Sequence, residues 1–287
     1  VSARGGVAEL GDIDRIIATA LGEDLGSGDM TSRLTVPATA VARGRIIAKQ
    51  ALTFCAGPVV VRTFEQVDPA VTVELCVDEG ARVAPGTEVI RLAGPARALL
   101  AGERTALNLL GRACAVATST HAHVEAAGPK LRVVDTRKTM PGLRALDRYA
   151  VRMGGGHNHR NDLGAGVLIK ENHIRCAGSV DAAVRAARQH ASHAVRVECE
   201  VETLIEVREA ISAGADVLLL DNMDDETLRE AVEIARNQNE RVLLEVSGGI
   251  TLARLPSLAT IGLDLVSVGA LTHSAPSVDL SLLFELP

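Results

Sequence analysis

From Leu131 onward the chain repeats one pattern: a short run of β-branched and Leu residues, a polar break, then a stretch with apolar residues at helical spacing. The runs are Leu131–Asp135, Val167–Lys170, Val195–Glu200, Val217–Asp221, Val242–Val246 and Leu265–Val268. Strands that are apolar at nearly every position have both faces covered. Strands alternating with amphipathic helices therefore predict a parallel sheet with helices outside it. Six units are fewer than the eight of a closed barrel, which leaves an incomplete barrel or strands that the pattern conceals. Helical spacing predicts helices over Ser179–Ala191, over Leu204–Ile211 with Thr203 and Glu206 as a capping box, and over Asp225–Asn237. Asp224 caps the last of these, whose inner face carries Leu228, Ala231, Val232 and Ala235.

The first hundred residues read differently. A helix is predicted over Asp12–Leu21, followed by alternating segments at Ala42–Ala48 and Val71–Val77 and a turn-rich hairpin signal over Glu79–Gly86. A long helix from Ala96 to Ala126 leads into the repeating half. The expected division is an N-terminal α+β domain over 1–115, a barrel-like catalytic domain over 116–274 and a tail over 275–287.

Composition narrows the function classes. With 47% hydrophobic and 23% charged residues the chain is an ordinary globular one. Aromatic residues make up 1% and Trp is absent, which disfavours a nucleic-acid binder built on base stacking. A net charge of −6 disfavours a polyanion-binding surface over the whole protein. The cysteines, Cys55, Cys76, Cys114, Cys176 and Cys199, are odd in number, widely spaced and without a C-x-x-C pair. That usage predicts reduced core thiols in a cytoplasmic protein, not a disulfide framework or a zinc site. The stretch from Val1 to Ile16 has no apolar leader core, and no segment is long and apolar enough for a membrane span.

In parallel β/α folds the reactive groups collect at the carboxyl ends of the strands. Here those ends are polar: Asp135-Thr136-Arg137-Lys138, Lys170-Glu171-Asn172-His173, Glu200, Asp221-Asn222, Ser247-Gly248-Gly249 and Gly269-Ala270. One polar end means little, but six facing one rim are poorly explained by stability. Between Lys130 and Arg160 there are eight cations against two carboxylates, in a chain whose net charge is negative. Arg144, Arg148 and Arg152 read as a solvated helix face. Arg137, Lys138 and Arg160 sit at a strand end or in the Gly-rich loop Gly154–Arg160, and suit an anion with more than one carboxylate, because guanidinium forks bind carboxylates bidentately. Glu200 and Asp221, ending neighbouring strands, offer the oxygen ligands that magnesium prefers. The glycines after the last two strands bring bare backbone N–H groups to a phosphate, with His273 just beyond as a further donor. Neither histidine pair is expected to bind metal: His121 and His123, two apart on a helix, do not share a face, and His157-Asn158-His159 has no cysteine or acid at zinc-ligand spacing.

Together these segments resemble the quinolinate phosphoribosyltransferase family. The resemblance rests on Glu23-Asp24-Leu25-Gly26-Ser27-Gly28-Asp29, Glu103-Arg104-Thr105-Ala106-Leu107-Asn108, Asp135–Thr139, Gly154–Arg160, Ile169–His173, Leu220-Asp221-Asn222 and Val268–His273, and it covers nearly the whole chain. It implies an N-terminal α/β sandwich and a C-terminal incomplete TIM-like α/β barrel. It also implies a homodimer, with a higher oligomer left open, in which the sandwich of one subunit caps the barrel of the other. The implied reaction joins quinolinate to phosphoribosyl pyrophosphate and gives nicotinate mononucleotide, pyrophosphate and carbon dioxide, with magnesium, on the de novo route to NAD. By the same resemblance Arg104, Arg137, His159, Arg160 and Lys170 surround quinolinate, with Thr136 and Lys138 near the substrates. Glu200 and Asp221 face the ribose and the metal. Ser247, Gly248, Gly249, Gly269, Ala270 and His273 lie towards the ribose phosphate. Lys138, Lys170, Glu200 and Asp221 form the implied catalytic set. Val246 stands where that pattern has a small polar residue.

Three other readings compete. A Schiff-base aldolase would use Lys138 or Lys170, but a nucleophilic lysine needs an apolar setting that the arginines disfavour. A biotinyl or lipoyl module is suggested by Val77–Gly86, yet no lysine lies between Lys49 and Lys130 to carry the group. A nicotinate-type phosphoribosyltransferase needs a site for one carboxylate only.

Overall fold

The computed structural model describes residues 10–285, so the start of the stretch read for a leader lies outside them. The chain forms two compact units. One comprises the chain up to His121, Lys138–Gly155 and everything from Ala270; the other comprises Ala122–Arg137 and Gly156–Gly269.

The first unit is built on strands β1 (Val41–Ala48), β3 (Thr72–Leu75), β5 (Glu88–Pro95) and β12 (Leu280–Glu285), antiparallel in the order β12-β1-β5-β3. A smaller pair joins β2 (Leu52–Thr53) to β4 (Arg82–Val83). Burial alternates along β1: Ala42, Ile46 and Ala48 face the core while Val41, Arg43 and Arg45 are exposed. Helix α1 (Ile13–Leu25) buries Ile13, Ile17 and Leu21, four residues apart on one face, in the same core. It runs one turn beyond its expected end and stops where Gly26 takes a positive φ, ahead of the short helix α2 (Met30–Thr35). Within the stretch expected as a tail, β12 pairs with β1. The turn-rich segment around Glu79 does connect antiparallel neighbours, β3 and β5, but it also contains β4. Glu79 itself accepts hydrogen bonds from the N–H groups of Ala56 and Gly57 at 2.8 Å each, at the start of helix α3 (Gly57–Val67), and from the Tyr149 hydroxyl.

The second unit carries β6 (Arg132–Val134), β7 (Val167–Ile169), β8 (Val197–Val201), β9 (Val217–Asp221), β10 (Leu243–Ser247) and β11 (Leu265–Ser267). Each matches a strand read from the sequence to within two residues at either end. They form one parallel sheet in the order β6-β11-β10-β9-β8-β7. That is sequence order read round a ring and opened between β6 and β7, an incomplete barrel. The opening has a chain-level cause. The connection from β6 to β7 sends Lys138–Gly155, including helix α5 (Arg144–Met153), into the other unit, and on its return His157 makes an isolated bridge to Val134. The helices between the later strands form as read. Thr203 and Glu206 make the capping box of Leu204–Ala213, and Asp224 accepts from the Thr227 N–H at the start of Asp225–Gln238. On that last helix Leu228, Ala231 and Ala235 are buried, whereas Val232 is only half-buried. The five cysteines are free; Cys55, Cys114 and Cys199 are core residues, Cys76 is half-buried and Cys176 is exposed, so the reading of all five as core thiols holds for three.

Candidate active site

Because the six strands run parallel, their carboxyl ends share one edge of the sheet. This edge brings together Thr136 and Arg137 after β6, Lys170 after β7, Glu200 on β8, Asp221 ending β9, Ser247–Gly249 at the end of β10 and Gly269 after β11. Arg104, Lys138, Ala270 and His273 belong to the other unit. There Arg104 is exposed on the long helix α4 (Ala96–Ala127), which ends one residue beyond its expected limit.

The Lys170 ammonium lies 2.7 Å from Glu200 Oε2. An ion-paired lysine at a carboxylate-rich edge is not the apolar-pocket lysine of a Schiff-base enzyme. Acids crowd this part of the rim. Burial, and then the charges of Glu171, Asp221, Glu206 and Glu200, push the Glu202 carboxyl above its usual range. Hard oxygen donors with mutual repulsion fit a magnesium ion, which needs few protein ligands because it keeps waters and substrate phosphates.

The turn after β10 is tightly specified. The Asn222 N–H donates to the Ser247 carbonyl at 3.1 Å, and Asn222 takes a left-handed φ of 55°. Gly248 (φ 84°) packs so closely that a Cβ there would stand 2.2 Å from Asn222 Oδ1 and 2.8 Å from its backbone nitrogen. At Gly249 (φ 58°) a Cβ would meet nothing within 4 Å. Consecutive left-handed glycines, one locked by its neighbour and one facing open space, make a backbone cradle of the kind that accepts phosphate. Val246, by contrast, is fully buried and faces away from the rim, in register with Leu220 and Val266.

The segments that flank the opening, after β6 and before β7, carry Arg137 and Arg160. Burial and then the charge of Arg137 hold the Arg160 guanidinium below its ordinary pKa. Arg160 donates to the Gly166 carbonyl at 3.0 Å, and Arg137 has no carboxylate partner among the described residues. Two guanidinium groups near enough to repel, one lacking an acid, form a site for an anion. The helix α5 arginines depart from expectation: Arg144, Arg148 and Arg152 are half-buried. Arg144 donates to Thr139 Oγ1 and Arg152 lies 5.7 Å from the Tyr149 ring centroid, so their stems pack instead of standing in solvent.

Four carboxylates that sequence reasoning left unassigned hold these segments. Asp135, fully buried, accepts from the His159 N–H and the Asn158 amide at 2.7 Å each. His159 Nε2 lies 3.0 Å from Glu198 Oε2 and 3.9 Å from Glu245 Oε1, both on inward positions of their strands. The Glu198 carboxylate raises the His159 pKa against the opposing effect of burial, and burial drives Glu245 up to about 7. This is the one trio of side chains within reach of a common metal among the described residues, and it contains neither Glu200 nor Asp221. In the other unit Arg112 grips the fully buried Asp147 with two bonds of 2.9 Å and also donates to the Thr272 carbonyl. Asp147 accepts from the Met140 N–H, and Thr272 Oγ1 donates to the Lys138 carbonyl at 2.9 Å. Glu245 carries a sequence signal as the single acid of the apolar run Val242–Val246, whereas Glu198 shares its run with Arg196 and Glu200 and does not stand out.

These features match a known architecture over most of the described length. The family model described as the quinolinate phosphoribosyl transferase N-terminal domain matches residues 29–114, and that of the C-terminal domain matches residues 116–283. The chain belongs to this family. It is 41% identical over 261 residues to the probable carboxylating nicotinate-nucleotide pyrophosphorylase of Bacillus subtilis, covering 91% of this chain and 89% of that one. To the human carboxylating nicotinate-nucleotide pyrophosphorylase it is 44% identical over 207 residues, 71% of this chain and 70% of that one. The solved nicotinate-nucleotide pyrophosphorylase of Francisella tularensis superposes with a TM-score of 0.90 at 36% identity, covering 95% of this chain and 96% of that one. The family's sandwich-plus-open-barrel architecture is the one described above.

Proposed function

We propose that this chain transfers the phosphoribosyl group of phosphoribosyl pyrophosphate to quinolinate, with decarboxylation, to give nicotinate mononucleotide, pyrophosphate and carbon dioxide for NAD synthesis. The observation that carries this reading is that Arg137 after β6 and Lys170 after β7 share one sheet edge with the glycine cradle after β10. The cations after β6 and before and after β7 suit a dicarboxylate, and the glycine cradle after β10 suits a phosphate.

The chemistry follows from charge. The pyridine nitrogen bonds to the anomeric carbon as the bond to pyrophosphate breaks, through an oxocarbenium-like state. The ring nitrogen becomes cationic, so the adjacent carboxylate leaves as carbon dioxide and its electron pair remains on carbon beside positive charge, where a proton then adds. Arg137, Arg160 and Lys170 bind and orient the ring carboxylates, with Arg104 and Lys138 as further cations. Glu200 lies towards the ribose, and Ser247–Gly249 and Gly269 hold the ribose phosphate. Glu200 and Asp221 would hold magnesium, which when bound neutralises charge on the departing pyrophosphate. The residues act mainly by positioning two anionic substrates and supplying preorganised charge. Arg104, far along the chain from Arg137, is read as completing the site of a second copy in a homodimer, and the free cysteines suit the cytoplasm.

The test is product analysis with quinolinate and phosphoribosyl pyrophosphate, following carbon dioxide release. In a pocket dehydrated by its substrate, nicotinate would leave at least one guanidinium or ammonium group unpaired, and sites built around buried polar contacts reject such analogues by roughly ten-thousand-fold or more. Quinolinate is expected to turn over and nicotinate hardly at all, while phthalate binds without reacting. Comparable catalytic efficiencies for quinolinate and nicotinate would move the protein to the nicotinate-type reading.

A further inference from the structure

His159 is held at each of three polar atoms. Its backbone N–H donates to Asp135 at 2.7 Å, its Nε2 lies 3.0 Å from Glu198 Oε2, and its Nδ1 accepts the backbone N–H of Arg160 at 2.7 Å. The last contact makes Nδ1 an acceptor, so the ring proton sits on Nε2 and points at Glu198. A ligand taking a hydrogen bond from either ring nitrogen would have to displace one of these partners. Behind the ring, Glu198 and Glu245 are 7% and 3% exposed, and each has an Oε1 atom with no hydrogen-bond partner. Buried carboxylates are costly to retain, so their placement around one imidazole calls for a role.

We infer that His159 is a positioning residue for Arg160, held in register by Glu198 with Glu245 behind it, and not a direct ligand of the dicarboxylate. The chain of contacts runs from β8 through Glu198 to the ring, and from the ring to the Arg160 backbone. Arg160 is then fixed at both ends, since its guanidinium also donates to the Gly166 carbonyl. Asp135 ties the same loop to β6. The guanidinium is thereby presented beside Arg137 at the open rim before any substrate arrives, which is the preorganisation that tight carboxylate binding needs. This inference rests on Arg160 being a carboxylate ligand.

A binding experiment separates positioning from direct contact. Phthalate affinity is measured by calorimetry for wild type, His159→Ala, Arg160→Ala and the double variant, alongside Glu198→Gln and Glu198→Met. Loss of one hydrogen bond to a charged group is worth about tenfold or more in affinity. His159→Ala is expected to weaken phthalate by about that factor in the wild-type background and to add nothing in the Arg160→Ala background. Glu198→Gln keeps an acceptor for the Nε2 proton and should bind nearly as wild type, whereas Glu198→Met, similar in shape but without an acceptor, should follow His159→Ala. Losses that add in the double variant, or a Glu198→Met protein that binds as wild type, would overturn the inference. Amide hydrogen exchange at Arg160 supplies a readout that needs no ligand. Protection there should fall in His159→Ala and Glu198→Met and persist in Glu198→Gln, and unchanged protection in both of the former overturns the inference. Failure of wild type to bind phthalate or quinolinate counts against the parent reading of the site, while the exchange result still decides whether His159 holds Arg160.

Discussion

Glu245→Gln tests the electrostatics of the barrel interior most directly. Glu245 is 3% exposed on β10, and burial together with the nearby Glu198 charge moves its carboxyl up to about 7. The native state therefore keeps this proton over a range where the unfolded chain has lost it. Stability from the neutral, buried acid is fully present below the unfolded value and is lost as pH rises through about 7. A carboxyl displaced this far corresponds to on the order of 3 kcal/mol of stability lost between acid and mildly alkaline conditions. Glutamine reproduces the shape and polarity of the protonated acid and cannot ionise, so the variant should lack the Glu245 part of the decline. The assay is urea unfolding of both proteins at a series of pH values from about 5 to about 8.5. Titrations of groups remote from Glu245 cancel in the difference, leaving Glu245 and the groups its charge touches, Glu198 and His159. The variant should gain on wild type as pH rises, by up to about 3 kcal/mol, and should be the more stable protein at the alkaline end. A stability difference that does not change with pH would refute the reasoning.

Other perturbations address the rim and its supports. If Glu200 and Asp221 hold magnesium, Asp221→Ala should cut turnover severely, since several kcal/mol of transition-state stabilisation depend on the ion; full activity of the wild type in excess chelator would refute the metal assignment. Arg104→Ala and Lys138→Ala proteins should each be inactive alone and should recover partial activity when mixed, if Arg104 completes the neighbour's site. No recovery after verified subunit exchange counts against a shared site. Arg112→Ala leaves the Asp147 carboxylate at 0% exposure without its guanidinium, and should lower unfolding stability by about 3–5 kcal/mol. A loss below about 1 kcal/mol in denaturant titration would show that the pair is not stabilising.

What could be read from the sequence was what depends on local spacing. The six strands of the barrel follow from short apolar runs, and the caps at Thr203 and Asp224 from one side chain and the turn that follows it. The polar strand ends followed too, because parallel strands must share an edge. Gly248 and Gly249 were legible as a turn, but the need for glycine at Gly248 comes from Asn222, a residue of the preceding strand's end. Arg144, Arg148 and Arg152 were misplaced because helical spacing alone does not say what covers a face.

The sequence by itself determined the element order, the parallel sheet of the second half and the identity of the cationic and glycine-rich strand ends, since each is written in contiguous residues. Only the tertiary structure decided which distant residues meet. Leu280–Glu285 became a strand because β1 offered an unpaired edge far back along the chain. The barrel stayed open between β6 and β7 because the intervening helix packs in the other unit. His159 became a fully bonded strut because Asp135, Glu198 and Glu245, on three separate strand segments, converge on one ring and its backbone. Burial of charge is a property of that convergence. No periodicity encodes it, because the residues that bury and pair an acid are brought to it only when the sheet closes around them.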